Sequence, residues 1–242
     1  NKYSPELSKV KTINWLHESI INNVYPMWHK VSPIAFRIPY IMTWKSSWYG
    51  DKKNYKDMVT LDIKARDILL QDLHGIPLGD ILISKTHDQV IVDIYTSKAS
   101  LVLGKTGENV ENMKTKLQNK LWGKFSINVK EIKQPDINAK IVAFNIANQI
   151  EKRMPYKRAI KQVLAKAMEK WALGIKVKVG WRLNGAEIAR RETFKEWAIP
   201  LQTMRSNIDY TTARAETIYG TIGLKVWIYK GDIYKKSKKL DS

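Results

Sequence analysis

Cysteine is absent from the 242 residues, which excludes disulfide bonds and every zinc site built on thiolates. A reducing, cytosolic setting is the expectation that follows. Histidine is almost as scarce. His17, His29, His74 and His87 are scattered without metal-ligand spacing, so each is read as a surface or packing residue. No apolar run approaches the ~18 residues that would span a bilayer. The opening stretch NKYSPELSKVKTINWLHE has no apolar core, so no signal peptide is expected. Acidic residues are few beside the basic ones: 23 Asp and Glu against 42 Lys and Arg, a net charge of +19. Such an excess repels itself unless a polyanion neutralises it. Nucleic acid is therefore the first partner to consider, with an anionic membrane as the weaker rival.

What is present suits a globular chain. Apolar residues make up 44% and charged residues 27%, and the length allows two modest domains. Residues 1–26 show no clear core and read as an appendage. Residues 27–54, Pro-broken and aromatic, suit an extended arm. Met58, Leu61, Ile68 and Leu69 recur at helical spacing and predict a helix over 55–74. DILISK and QVIVDIYTS are strand candidates, 108–121 looks helical, and FSINVKEIK looks like a strand. The order over 55–134 is helix, strand, strand, short helix, GKTG, helix, strand. Pro135 marks a boundary. Beyond it, NAKIVAFNIANQIEKR and YKRAIKQVLAKAMEKWA predict two helices, the second with Ile160, Val163, Leu164, Ala167, Met168 and Trp171 on one apolar face. IKVKVGWRL, the stretch 194–204 and GLKVWIYK predict strands, completing a unit over 135–234. Residues 235–242 form a basic tail expected to be disordered.

ASLVLGKTGENV (99–110) fits two patterns. Ala99 followed by Gly104-Lys105-Thr106 fits a loose nucleotide-binding P-loop, but the four residues before Gly104 are Ser-Leu-Val-Leu. They supply no flexible turn, and no apolar strand ending in a magnesium-binding aspartate follows at a sensible distance. Gly104-Lys105-Thr106-Gly107 also fits the GxxG loop with which KH domains hold single-stranded nucleic acid. Two glycines let the backbone approach a phosphate, Lys105 adds charge, and a helix from Glu108 directs its first amides to the same place. A plain helix-capping turn is the bland alternative.

Long stretches of the chain resemble one family. TWKSSWYG (43–50), LVLGKTGENVE (101–111), MPYKRAIKQ (154–162), RLNGAEIAR (182–190), RRETFKEW (190–197) and the run from Asn207 to Ile233 are similar to the bacterial-type small ribosomal subunit protein S-three family. The resemblance spans roughly residues 27–234. It implies an α+β fold: a type II KH domain, then a two-layer α+β carboxy-terminal domain. It also implies a structural place on the subunit head, with rRNA, mRNA and the head proteins S-ten and S-fourteen as partners, bound to the ribosome in the cytoplasm. Lys157, Arg158 and Lys161 match the family's mRNA-entry positions, with Lys157 standing where arginine is usual, so a forked phosphate contact gives way to a point charge. Segment 151–170 carries seven basic and two acidic residues, in keeping with that role. Arg182, Arg190 and Arg191, around a turn at Asn184-Gly185, are implied rRNA contacts. No carboxylate pair, triad or metal cluster points to catalysis. No cofactor, metal, membrane or small-molecule substrate is expected, and the chain is not read as an enzyme.

Trp28, Trp122, Trp171, Trp181 and Trp197 stand where that family typically has glycine. The bulkiest side chain at a turn glycine should clash or force unfavourable backbone angles. One account covers all five: a gene in which UGA encodes glycine, translated as tryptophan. Met27-Trp28-His29-Lys30-Val31 would then resemble the family's start, and 1–26 would be upstream sequence translated in frame. The alternative is that the tryptophans are real and stack on RNA bases.

Overall fold

A computed structural model describes residues 30–38, 40–86, 89–104, 107–121 and 123–234. The appendage 1–26, the tail 235–242, Lys105, Thr106, His17, His29, His87, Trp28 and Trp122 lie outside the described residues.

Within the arm, one turn of helix α1 (Pro33–Arg37) and a two-residue strand β1 (Ser46–Ser47) interrupt the expected extended course. Both exist because an arginine anchors them. Arg37 is fully buried and donates to the carbonyls of Pro33, Pro200, Leu201, Thr203 and Ser206. Burial lowers its pKa. Arg66 donates to the carbonyls of Lys45 and Ile81 and to Ser46 Oγ, which pins β1 to the sheet edge.

The first sheet has the order β1-β2-β3-β4. Helix α2 (Tyr55–Asp72) packs Ala65 and Leu69 onto it, with Leu61 and Ile68 partly buried beside them. Strands β2 (Leu78–Lys85) and β3 (Val90–Thr96) are antiparallel, and alternate residues Ile81, Ile83, Val90, Val92 and Ile94 point into the core. Strand β4 (Phe125–Glu131) runs parallel to β3. A parallel neighbour needs a crossover, supplied by α3 (Ala99–Leu103) and α4 (Glu108–Leu121). Val102, Met113 and Leu117 seal these helices against the sheet.

The second sheet is antiparallel throughout, in the order β6-β5-β8-β7. Its strands are β5 (Gly174–Trp181), β6 (Arg190–Glu196), β7 (Ser206–Thr217) and β8 (Gly220–Asp232). Helices α5 (Ala139–Glu151) and α6 (Tyr156–Glu169) cover one face. Ile146, Ile150, Ile160 and Leu164 meet Ile175, Val177, Val179, Leu224 and Val226 there. Asn138 caps α5 by accepting from the amides of Lys140 and Ile141, and Asp209 accepts from that of Ala139.

Two expectations need correction, and one strand was not expected. The strand expected over 194–204 lies earlier, at Arg190–Glu196, because Trp197 turns the backbone to φ 61 and Pro200 follows without an amide to donate. Strand β7 went unrecognised because its inward residues include the small Ala213 and Ala215 and its outward ones are polar, so apolar alternation is faint. Trp171 does not belong to the apolar face of α6: it lies past the helix end and is 88% exposed. The amide of Trp171 donates to Met168 O and that of Ala172 to Ala167 O, a Schellman ending with Trp171 at the left-handed position that glycine usually fills.

Five described non-glycine residues have positive φ: Arg153, Asn184, Trp171, Trp181 and Trp197. Asn184 is a residue type that tolerates this region, whereas a bulky side chain there is a genuine outlier.

Candidate nucleic-acid interface

The GKTG loop joins α3 to α4 at one end of the first sheet. Gly104 ends α3 with φ 78 and ψ −172. A Cβ there would come within 2.9 Å of Asn109 Nδ2, so both conformation and space demand glycine. Gly107, at φ 84, has open space around it and needs glycine for conformation alone. Its carbonyl accepts from the amides of Val110 and Glu111, which starts α4. Glu108 and Glu111 occupy the first turn and would oppose an incoming anion there. The P-loop pattern fails on geometry. Residues 99–103 are helical, and the amide of Gly104 is spent on Ser100 O where a P-loop needs amides free to surround phosphates.

Helix α6 buries Tyr156, Ala159, Ile160, Val163, Leu164 and Ala167. Their spacing forces Lys157, Arg158 and Lys161 outward, and all three are exposed. Lys157 Nζ lies 6.0 Å from the ring centre of Tyr156. Arg158 and Lys161 show no side-chain partner among the described residues. Like charges three and four apart on a helix cost a few tenths of a kcal/mol when nothing offsets them. The cluster is thus maintained against local stability.

The three arginines of the second basic motif part company. The turn does sit at Asn184-Gly185, with φ 55 and 77. Arg182 Nε donates to Ala186 O at 2.9 Å and the guanidinium lies 6.0 Å from the ring centre of Tyr219, so it holds that turn closed. Arg190 reaches Glu192 at 3.3 Å and Tyr156 Oη at 3.4 Å, toward α6. Arg191 follows it on an edge strand and lies over Gly180 on the face opposite the two helices. Cations on that face went unnoticed in the sequence, although the alternation of Lys176 and Lys178 with Val177 and Val179 was a signal for them.

An αββααβ unit with a two-glycine loop between its central helices, carrying an appended helix-covered antiparallel sheet, defines a KH-containing protein of mixed α and β structure. Comparison agrees. Residues 69–137 match the KH domain family, and residues 146–228 match the family described as ribosomal protein S3, C-terminal domain. The chain is 43% identical over 212 residues to small ribosomal subunit protein uS3 of Pelotomaculum thermopropionicum, covering 88% of this chain and 92% of that one. It is 44% identical over 210 residues to uS3 of Hydrogenovibrio crunogenus, covering 87% and 92%. The uS3 of Clostridium botulinum (strain Okra / Type B1) is 41% identical over 216 residues, covering 89% and 97%. The chain belongs to the uS3 family of small ribosomal subunit proteins.

Proposed function

We propose that this chain is a structural protein of the small ribosomal subunit head, anchored on rRNA, whose Lys157, Arg158 and Lys161 face incoming mRNA. The observation that carries the mRNA role is the exposed cation cluster on α6, without an acidic partner among the described residues, on a helix held in place by six buried residues. Charges fixed on a rigid helix can hold one strand of a duplex by its phosphates as the partner strand is drawn away. This lowers the cost of opening without any nucleotide hydrolysis. The GKTG loop contributes a further contact with RNA or with a protein neighbour, S-ten and S-fourteen being the expected protein partners. Family membership favours binding over catalysis.

Sedimentation of a cell extract tests the placement: the chain should migrate with small subunits. A KH-type regulator acting off the ribosome is the rival. It predicts migration with one messenger and sequence-specific binding to its single-stranded segment.

A further inference from the structure

Helices α5 and α6 cover one face of the second sheet, and the strand register lays out the other in rows. Across β6, β5, β8 and β7, one row reads Arg191, Gly180, Gly223, Arg214. The next reads Thr193, Lys178, Lys225, Thr212, and the third Lys195, Lys176, Trp227, Tyr210. These twelve positions hold six cations and no carboxylate. By register, the nearest acid on this side is Glu216, one row further out opposite Thr221.

The third row is internally occupied, because Lys176 Nζ stands 5.3 Å from the Trp227 ring centre, and that ring lies 5.2 Å from Tyr210. The first two rows, all but Thr193, line a groove of ≈ 1190 Å³. Its floor at Gly180 and Gly223 has no side chains, and the stem of Arg191 crosses Gly180, where a Cβ would stand 3.3 Å from its Cγ. Strands lie ~4.8 Å apart, so the two arginines flank the floor across about 14 Å, with the lysines about 7 Å along the strands.

We propose that this face, which no helix covers among the described residues, is a second RNA-binding surface, which takes a phosphate backbone over the Gly180–Gly223 floor between Arg191 and Arg214. Lys178 and Lys225 neutralise the adjoining phosphates, and the Thr212 hydroxyl serves a phosphate or ribose oxygen. The open space over Gly223 admits close approach of a sugar-phosphate chain. A protein partner would instead favour a central aromatic or aliphatic anchor, and the centre here is glycine and lysine. The proposal rests on the ribosomal reading for the identity of the RNA, rRNA, but on the sheet face alone for the contact.

The test uses the full chain with two variants, Lys178→Ala/Lys225→Ala and Gly223→Glu. The lysines are not core residues. The nearest atom to a Cβ at Gly223 is Gly180 O at 4.0 Å, so both variants should keep the wild-type melting temperature. Each should lose on the order of tenfold in affinity for a small-subunit rRNA transcript, and the double lysine variant should flatten the salt dependence by about two released counterions. Unchanged affinity and slope in folded variants would overturn the proposal. So would photocrosslinks from positions 178 and 225 to protein alone in assembled subunits. Failure of the wild-type chain to sediment with small subunits overturns the ribosomal reading instead, and leaves the RNA-affinity comparison to decide this one.

A different observation carries a second inference. Three of the six described tryptophans have positive φ, at 68, 125 and 61. At a rate of a few per cent for non-glycine residues, a coincidence of three is on the order of one in a thousand or rarer. Trp171 fills a Schellman glycine position, and Trp181 at φ 125 is beyond even the left-handed helical region. None of the three is buried: they are 88%, 48% and 74% exposed, so core packing does not compensate the strain. We infer that positions 171, 181 and 197 are glycine in the protein as its own cells make it. Peptide mass spectrometry of that protein should find glycine masses at all three. Tryptophan masses there would overturn the inference.

Discussion

Lys140 Nζ stands 2.8 Å from Asp80 Oδ1, linking the first turn of α5 to strand β2 and so one sheet unit to the other. Lys45 of the arm reaches the same oxygen at 2.6 Å. Partial burial by itself raises the carboxyl, but Lys140 and then Lys45 outweigh it and hold Asp80 at about 2. Burial lowers Lys140, against the pull of Asp80. One carboxylate therefore ties three segments distant in sequence.

Acid should weaken this junction first. A depressed carboxylate pKa means the stabilisation is complete above about pH 4 and fades as pH falls toward 2. Asp80 and its partners remain about two-fifths exposed, so screening reduces the contribution to about 1 kcal/mol. Asp80→Asn should lose that amount at pH 7 and show a flatter stability profile between pH 4 and 2. Urea unfolding across that range measures it. A profile parallel to wild type would remove Asp80 from the junction.

Arg37 offers a harsher case. Its guanidinium satisfies five carbonyls in a buried site. Arg37→Met should leave several of them without donors and cost about 3 kcal/mol or more. Arg37→Lys should recover only part, since one ammonium cannot reproduce the planar fork. Chemical denaturation of the two variants would show that order. Full recovery by lysine would mean that charge, with no fork geometry, is what the site requires.

On α6, replacing Lys157, Arg158 and Lys161 by alanine should leave folding within about 0.5 kcal/mol of wild type, because exposed charges contribute little. Subunit assembly should persist. Translation through a stable mRNA hairpin should slow much more than translation of an unstructured message. Equal slowing on both templates would remove the mRNA role, and failed assembly would assign these residues to rRNA anchoring.

In the KH loop, Gly104→Val should be far more damaging than Gly107→Ala. The first meets Asn109 and an unfavourable φ together, whereas the second meets φ alone and should cost about 1 kcal/mol. Thermal melts of the two variants give the ranking. A reversed order would mean that crowding against Asn109 is not what excludes a side chain at position 104.

Trp171→Gly should stabilise the chain by about 1 kcal/mol, since the left-handed position then carries no Cβ. An increase of a few degrees in Tm is the expected sign. A fall would mean that the exposed indole contributes packing that outweighs its strain.

Local pattern was enough to place α2, α4, α5 and α6 close to their observed bounds, because one apolar face repeats at helical spacing in each. The glycines of GKTG followed from backbone geometry, and the outward position of Arg158 and Lys161 from the apolar face of α6. Strand β7 did not, since Ala213, Ala215 and Thr211 bury too little apolar surface to mark a strand until β8 pairs with them. Nothing in the local sequence distinguishes Arg37 from a surface cation, and only the carbonyls of residues 200–206, more than 160 positions away, make it a buried anchor. The row of Arg191, Gly180, Gly223 and Arg214 is likewise invisible along the chain. Hydrogen-bond register across four strands brings it together, and register is fixed by which alternate residues the two helices bury on the other side.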